Sequence, residues 1–185
     1  MAISRAVIGD QFGPPESYRI AAHDPGAPRE GEVRVAIRAA GISYVDVLTA
    51  RGDYQFKPPL PFIPGSEYAG VVEALGEGVT HLAVGDRVFG SALGGTFAEA
   101  GVFRAAGVRQ IPEALSFAEA SVFPVNYTPA YHAFADRARL QPGESVLVLG
   151  AAGGTGYAAV QMAKHLGARV IASASSEAKR AAALA

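Results

Sequence analysis

The chain has 185 residues, half of them apolar, and a formal charge of −1, the composition of an ordinary globular protein with room for a core. Its 16 Lys and Arg are scattered singly among 17 Asp and Glu, and aromatics make up 9%, so no basic stripe or stacking array marks nucleic acid as a primary partner. The absence of Cys excludes disulfides and thiolate metal sites. Because Met1 to Arg5 lacks the apolar stretch of a signal peptide and no segment reaches membrane-spanning length, a cytoplasmic location without membrane attachment is expected.

From Arg5 to about Pro112, Gly and Pro punctuate short segments, and the region reads as mostly β. Val33 to Arg38 alternates apolar and polar residues with period two, the mark of a half-buried strand. Glu67 to Ala74, Asp86 to Phe89 and Thr96 to Val102 read the same way. One helix is expected here, Tyr44 to Arg51, ended by Gly52. Beyond Pro112, Ser116-Phe117-Ala118-Glu119 has the Ser-x-x-Glu spacing of a capping box and predicts a helix start. Thr128-Pro129 predicts another, with a capping hydroxyl before a first-turn proline and apolar residues on to Leu140. The domain boundary is placed near residue 120, giving 1–120 and 121–185.

After the turn Gln141-Pro142-Gly143, the apolar run Ser145 to Leu149 leads into Gly150-Ala151-Ala152-Gly153-Gly154-Thr155-Gly156, a helical pattern to Leu166 and a second apolar run, Arg169 to Ser173. Strand, glycine turn, helix and strand in that order suit a dinucleotide. Small residues let backbone approach the pyrophosphate, and the helix N-terminus directs N–H groups and its positive dipole end at it. A glycine-rich packing turn is the alternative. In the Gly-x-Gly-x-x-Gly register the first position holds Ala151. The next segment, Ser173-Ala174-Ser175-Ser176-Glu177-Ala178-Lys179-Arg180, offers hydroxyls and two cations and puts its acid beyond the strand end. That favours NADPH over NADH, since an acid at the strand end would repel a 2′-phosphate; a solvated helix face would suit the same cations.

Several motifs carry a family resemblance over essentially the whole chain: Gly41-Ile42-Ser43-Tyr44-Val45-Asp46, Arg51-Gly52-Asp53-Tyr54, Pro61-Phe62-Ile63-Pro64-Gly65-Ser66-Glu67, Gly85-Asp86-Arg87-Val88, Gly94-Gly95-Thr96-Phe97-Ala98-Glu99 and the Ala151–Gly156 turn. The chain resembles the medium-chain dehydrogenase/reductases, within them the zinc-free NADPH:quinone oxidoreductases of the zeta-crystallin group. The resemblance implies a mixed fold, a GroES-like β-rich domain followed by the beginning of an α/β Rossmann domain, with NADPH and substrate in the cleft between. It implies a homodimeric full-length protein.

Zinc-dependent relatives carry a cysteine where this chain has Ser43 and a histidine where it has Ser66. Hydroxyls do not replace a thiolate and an imidazole as zinc ligands, and His23, His81, His132 and His165 share no ligand spacing. No metal is expected. Tyr54 matches the tyrosine of the family's Arg-x-Gly-x-Tyr segment; as a phenol it would donate to a carbonyl or quinone oxygen, or else cap its proline-rich loop. Ser43 and Tyr44 match positions flanking the nicotinamide, although many relatives have Asn at the first. Thr128 matches a hydroxyl near the nicotinamide, and Asp46 is expected to orient its loop. Ala152, Gly153, Gly154, Thr155 and Gly156 would cradle the pyrophosphate, and Ser175, Ser176 and Lys179 the 2′-phosphate.

The expected activity is metal-free hydride transfer from NADPH to a quinone or an α,β-unsaturated carbonyl, with enoyl-thioester reduction as the alternative. The chain stops at Ala185 about one strand and one helix into a domain that normally needs several of each. It is therefore expected to be a fragment, or to be completed by another chain. A catalytically incompetent binding or structural product is the reading from a different class.

Overall fold

A computed structural model describes residues 3–184, and the chain folds as two units, Met1–Pro124 and Val125–Ala185. In the first, β1 (Ser4–Ile8) pairs antiparallel with β2 (Arg19–His23). A five-stranded antiparallel sheet follows from β3 (Glu32–Gly41), β4 (Glu67–Leu75), β5 (Arg87–Ser91), β6 (Ala100–Arg104) and β7 (Arg109–Gln110), ordered β6-β3-β4-β5-β7. Helix α1 (Tyr44–Arg51) connects β3 towards β4, and the short α2 (Phe117–Ala120) comes after the sheet.

The period-two pattern sorts side chains between two cores. Val33, Val35, Tyr68, Val72 and Val88 are fully buried in one cluster with Phe103 and Val108. Ala69, between Tyr68 and Gly70, belongs to a second cluster with Ile111 and Ala120. Tyr68 stacks on Phe103 at a centroid separation of 3.9 Å. Burial pushes its phenol pKa well up.

The second unit is a β-α-β succession. Strand β8 (Ser145–Leu149) lies parallel to β9 (Arg169–Ser173) in register from Ser145↔Arg169 to Leu149↔Ser173, connected by α4 (Gly154–His165). Val148, Ala151, Val160 and Ala183 form its core, with Val146, Val170 and Ala172 packed against them. Ala183 comes from α5 (Glu177–Leu184). Leu147, Leu149 and Ile171 alternate with those core residues and are exposed. The fold is thus the expected mixed one, a GroES-like β unit followed by Rossmann-type β-α-β. Among the described residues no helix is long and apolar enough to cross a membrane.

Two expectations are corrected. The segment Thr96 to Val102 is a strand only from Ala100; Gly94 and Gly95, with positive φ, bend the chain so that Phe97 and Ala98 meet β1 instead. Thr128-Pro129 does not start a helix. Helix α3 (Phe123–Tyr131) begins five residues earlier, with Pro124 in the first turn where a missing N–H costs nothing. Pro129 lies inside α3, Thr128 is exposed on it rather than capping it, and the helix widens into a π segment over His132–Ala138.

Strands β3 and β4 approach closely at Gly70, where a Cβ would lie 2.1 Å from the Ala36 carbonyl oxygen. Backbone cannot give way as a side-chain tip can. Gly70→Ala should cost about 3 kcal/mol by overpacking, whereas Gly107→Ala, with nothing within 4 Å of its added carbon, should leave the urea midpoint unchanged. Equal midpoints for both variants would contradict this account of the ladder.

Candidate functional site

The β3–β4 ladder ends at the pair Gly41↔Glu67. Ser43 is two residues past one end of that pair and Ser66 one residue before the other, so the register itself brings the two serines together, with Oγ atoms 3.5 Å apart. The residues expected at zinc-ligand positions are therefore neighbours in space. Among the described residues no group of three or more His, Cys, Asp or Glu is placed to hold a metal ion.

Ser43 is the N-cap of α1 in extended conformation, and Gly52 closes the helix in the left-handed region at φ 75°. Asp46, 6% exposed, reaches back so that its Oδ2 accepts from both the Ser43 N–H (2.7 Å) and the Ser43 Oγ–H (2.9 Å). The loop is oriented by this carboxyl group. On the facing side Gly65 has φ 99°, and a Cβ there would lie 2.2 Å from Thr96 Oγ1 and 2.6 Å from the Phe97 ring. Only glycine fits this bend, which delivers Ser66 to the end of β4.

A small cleft opens beside the serine pair. Tyr54, Asp46, Thr49 and Ser66 line it with Val45, Phe56, Phe62, Pro64 and Leu93, enclosing about 70 Å³. Tyr54 is half-buried. Leu93 is 72% exposed, at the margin of the cleft. Tyr44, at the first position of α1, is 75% exposed and does not line this cleft.

In the second unit the glycines divide their tasks. Gly150, φ 65°, makes the tight turn that the sequence register assigned to position 151, and Ala151 is instead fully buried, donating its N–H to the Ser173 carbonyl at 3.0 Å. The alanine is thus no departure, because the turn occurs one residue earlier. Gly153 caps α4 and has room for a methyl group, with Gly150 O at 3.4 Å from an added Cβ. Gly156 has none: the same carbon would lie 2.2 Å from Gly150 O, the close helix-to-strand packing that the third glycine of such a turn provides. Gly154 abuts Asn126, whose Oδ1 would be 2.6 Å from a Cβ. Asn126 and Tyr127, which donates to Gln161 Oε1, tie α3 to α4. Thr155 is exposed in the first turn of α4.

A cavity of about 510 Å³ adjoins this turn, lined by Gly150, Ala152, Gly153, Ser173, Ala174, Ser175 and Lys179. Its volume is that of a small-molecule site, typically ~300–1,000 Å³. Its donors are hydroxyls, one ammonium group and turn backbone, with no carboxylate among the lining residues. That set fits a dinucleotide carrying a 2′-phosphate. Ser176 stands apart, its Oγ accepting from the Lys179 N–H at 3.3 Å as a cap for α5. Thr128 lies on neither cavity.

Sequence reasoning passed over Ser66 as a site residue and Asn126 as a support. The signal for Ser66 was the ladder register, which pairs its neighbour with Gly41. Nothing local marked Asn126.

The chain thus combines a β-rich unit of GroES type with a β-α-β unit that carries a Rossmann-type glycine turn. Residues 29–113 match the alcohol dehydrogenase GroES-like domain. The chain is 42% identical over 176 residues to quinone oxidoreductase-like protein 2 of Rattus norvegicus, covering 95% of this chain and 50% of that one. It is 49% identical over 146 residues to part of the polyketide synthase GfsB of Streptomyces halstedii, covering 79% of this chain and 2% of that one. Among solved structures, the quinone oxidoreductase from Thermus thermophilus, determined also in complex with NADPH, superposes with a TM-score of 0.84 at 36% identity, covering 97% of this chain and 56% of that one. The chain is thus similar to proteins with the alcohol dehydrogenase GroES-like domain and to quinone oxidoreductase-like proteins. It spans about half the length of the quinone oxidoreductase relatives it matches.

The two glycines give a paired test of the turn. Gly156→Ala should destabilise the second unit by about 2 kcal/mol and weaken dinucleotide binding, while Gly153→Ala should fold with an unchanged thermal midpoint. Circular dichroism melts of both variants check this, and a tolerant Gly156 would refute the packing argument.

Proposed function

We propose that the chain carries the nucleotide turn and the acceptor cleft of a zinc-independent, NADPH-dependent oxidoreductase, which reduces a quinone or an α,β-unsaturated carbonyl. The observation that carries this reading is the hydroxyl pair Ser43–Ser66, a hydrogen-bonding site where zinc-dependent relatives place soft metal ligands. A site of this kind activates an acceptor through its oxygen by hydrogen bonding, not by Lewis-acid polarisation. When bound, NADPH supplies the hydride. Gly150, Ala152 and Gly153 lie along the backbone that would face the pyrophosphate, with Gly154, Thr155 and Gly156 forming the first turn of α4, whose dipole favours the same charge. Ser175 and Lys179 would bind the 2′-phosphate, with Ser176 holding the start of α5 beneath them.

In the cleft, Tyr54 would donate to the acceptor's oxygen as charge builds there. Ser43 and Tyr44 would border the nicotinamide through the first turn of α1. Thr128, which caps no helix, is left with a hydroxyl on α3 that could serve the same cofactor only through its exposed side. The likeness to a polyketide synthase segment favours enoyl-thioester reduction as the second reading. NADPH consumption with quinones, enones and enoyl-CoA separates the two, and oxidation with none of them would sink both.

The 2′-phosphate assignment has its own test. Lys179→Ala should weaken NADPH binding about tenfold, the effect of losing one charge-assisted contact at an open site, while leaving NADH binding unchanged. Fluorescence titration of each cofactor measures this. Equal losses for the two would show that Lys179 does not select the phosphate.

A further inference from the structure

We propose that Ser66 is a second hydrogen-bond donor to the acceptor's carbonyl oxygen, acting beside Tyr54 in the small cleft of the β unit. The inference rests on the proposed reductase reading and adds a residue to it. A serine hydroxyl has one proton to give, and the two serines differ in where theirs goes. Ser43 gives its own to Asp46 Oδ2 at 2.9 Å, and its N–H is bound to the same oxygen. Ser43 Oγ is left with lone pairs only.

Ser66 Oγ lies 3.5 Å from Ser43 Oγ, longer than the ~2.5–3.0 Å of a good O–H···O bond. The Ser66 proton is therefore loosely held at best and is free to turn into the cleft, which Ser66 lines together with Tyr54. The Gly65 bend and the Glu67↔Ser91 pairing fix the Ser66 backbone from both sides, so the donor is set in place before any ligand arrives. An acceptor that enters this small cleft oxygen first meets both hydroxyls among its lining residues. Two donors acting on one oxygen would stabilise the negative charge that develops there.

The test reads the carbonyl directly. Pent-3-en-2-one labelled with ¹³C at its carbonyl is bound to the full chain without NADPH, and its stretching frequency is recorded by difference infrared spectroscopy. The expected result is a lower frequency with the natural chain than with Ser66→Ala, restored by Ser66→Thr, and a separate smaller shift in Tyr54→Phe. In turnover Ser66→Ala should lower kcat by about 10²-fold with the dissociation constant for NADPH unchanged. If Ser66→Ala does not fold, Ser66→Cys, a weak donor, takes its place. The same stretch in natural chain and variant, or no restoration by threonine at an unchanged thermal midpoint, overturns the proposal. Failure of the natural chain to oxidise NADPH with any acceptor overturns the reductase reading instead, and the infrared shift still decides the role of Ser66.

Discussion

The register of the β3–β4 ladder is the constraint on which the first unit depends. Both strands are among its longest, and they end together at Gly41↔Glu67. Everything chemical in this unit hangs from that end: α1 with Ser43 and Asp46 on one side, the Gly65 bend with Ser66 on the other. A slip of one residue would turn Val33, Val35, Tyr68 and Val72 out of the core and carry the serines apart. The core thus positions the site by refusing every other register. Two irregularities in the ladder, an extra residue in β4 (Glu73) opposite Arg34 and Val35 and one in β3 (Arg38) after Ile37, do not break that agreement, and Gly70 lets the strands close beside the second of them.

In the second unit the same economy is reached through backbone contact. Gly156 touches the Gly150 carbonyl, Ala151 is anchored to the end of β9, and Asn126 presses on Gly154 from α3. The turn is held from three directions, so the N-terminus of α4 faces a cavity of fixed shape. The donors around it are spread over the turn after β8, the end of β9, the segment that follows it and α5, and the parallel pairing of β8 with β9 brings the first two together. No side chain there works without the strand pairing behind it.

Much of this was legible in the sequence, for identifiable reasons. Alternation located β3 and β4, because one period-two pattern buries one face; the Gly52 signal closed α1 at its observed end; and Ser116 formed its capping box with Glu119. The glycine turn was legible as a motif, but its working register was not, since the choice between Gly150 and Ala151 depends on which residue takes positive φ. Thr128-Pro129 misled for a related reason. Proline is welcome in a helix's first turn, and two prolines, Pro124 and Pro129, suit that position; α3 places the earlier one there and carries the later one inside. Of the site, Tyr54 and the serine pair's neighbourhood followed from motif likeness, while the pairing of Ser66 with Ser43 needed the ladder, a contact between residues far apart in sequence.

The hydroxyl pair also bears on the chemical hardness of the protein. Quinones and enones are electrophiles that add to thiolates, and a cysteine near such a cleft would be consumed by the compounds it helped to bind. Ser43 and Ser66 keep the hydrogen-bonding capacity of the position without a nucleophile that is ionised near neutral pH, and no other residue of the 185 contributes a thiol. On the proposed reading, a cleft lined by hydroxyls in place of thiols resists alkylation by the acceptors it would bind.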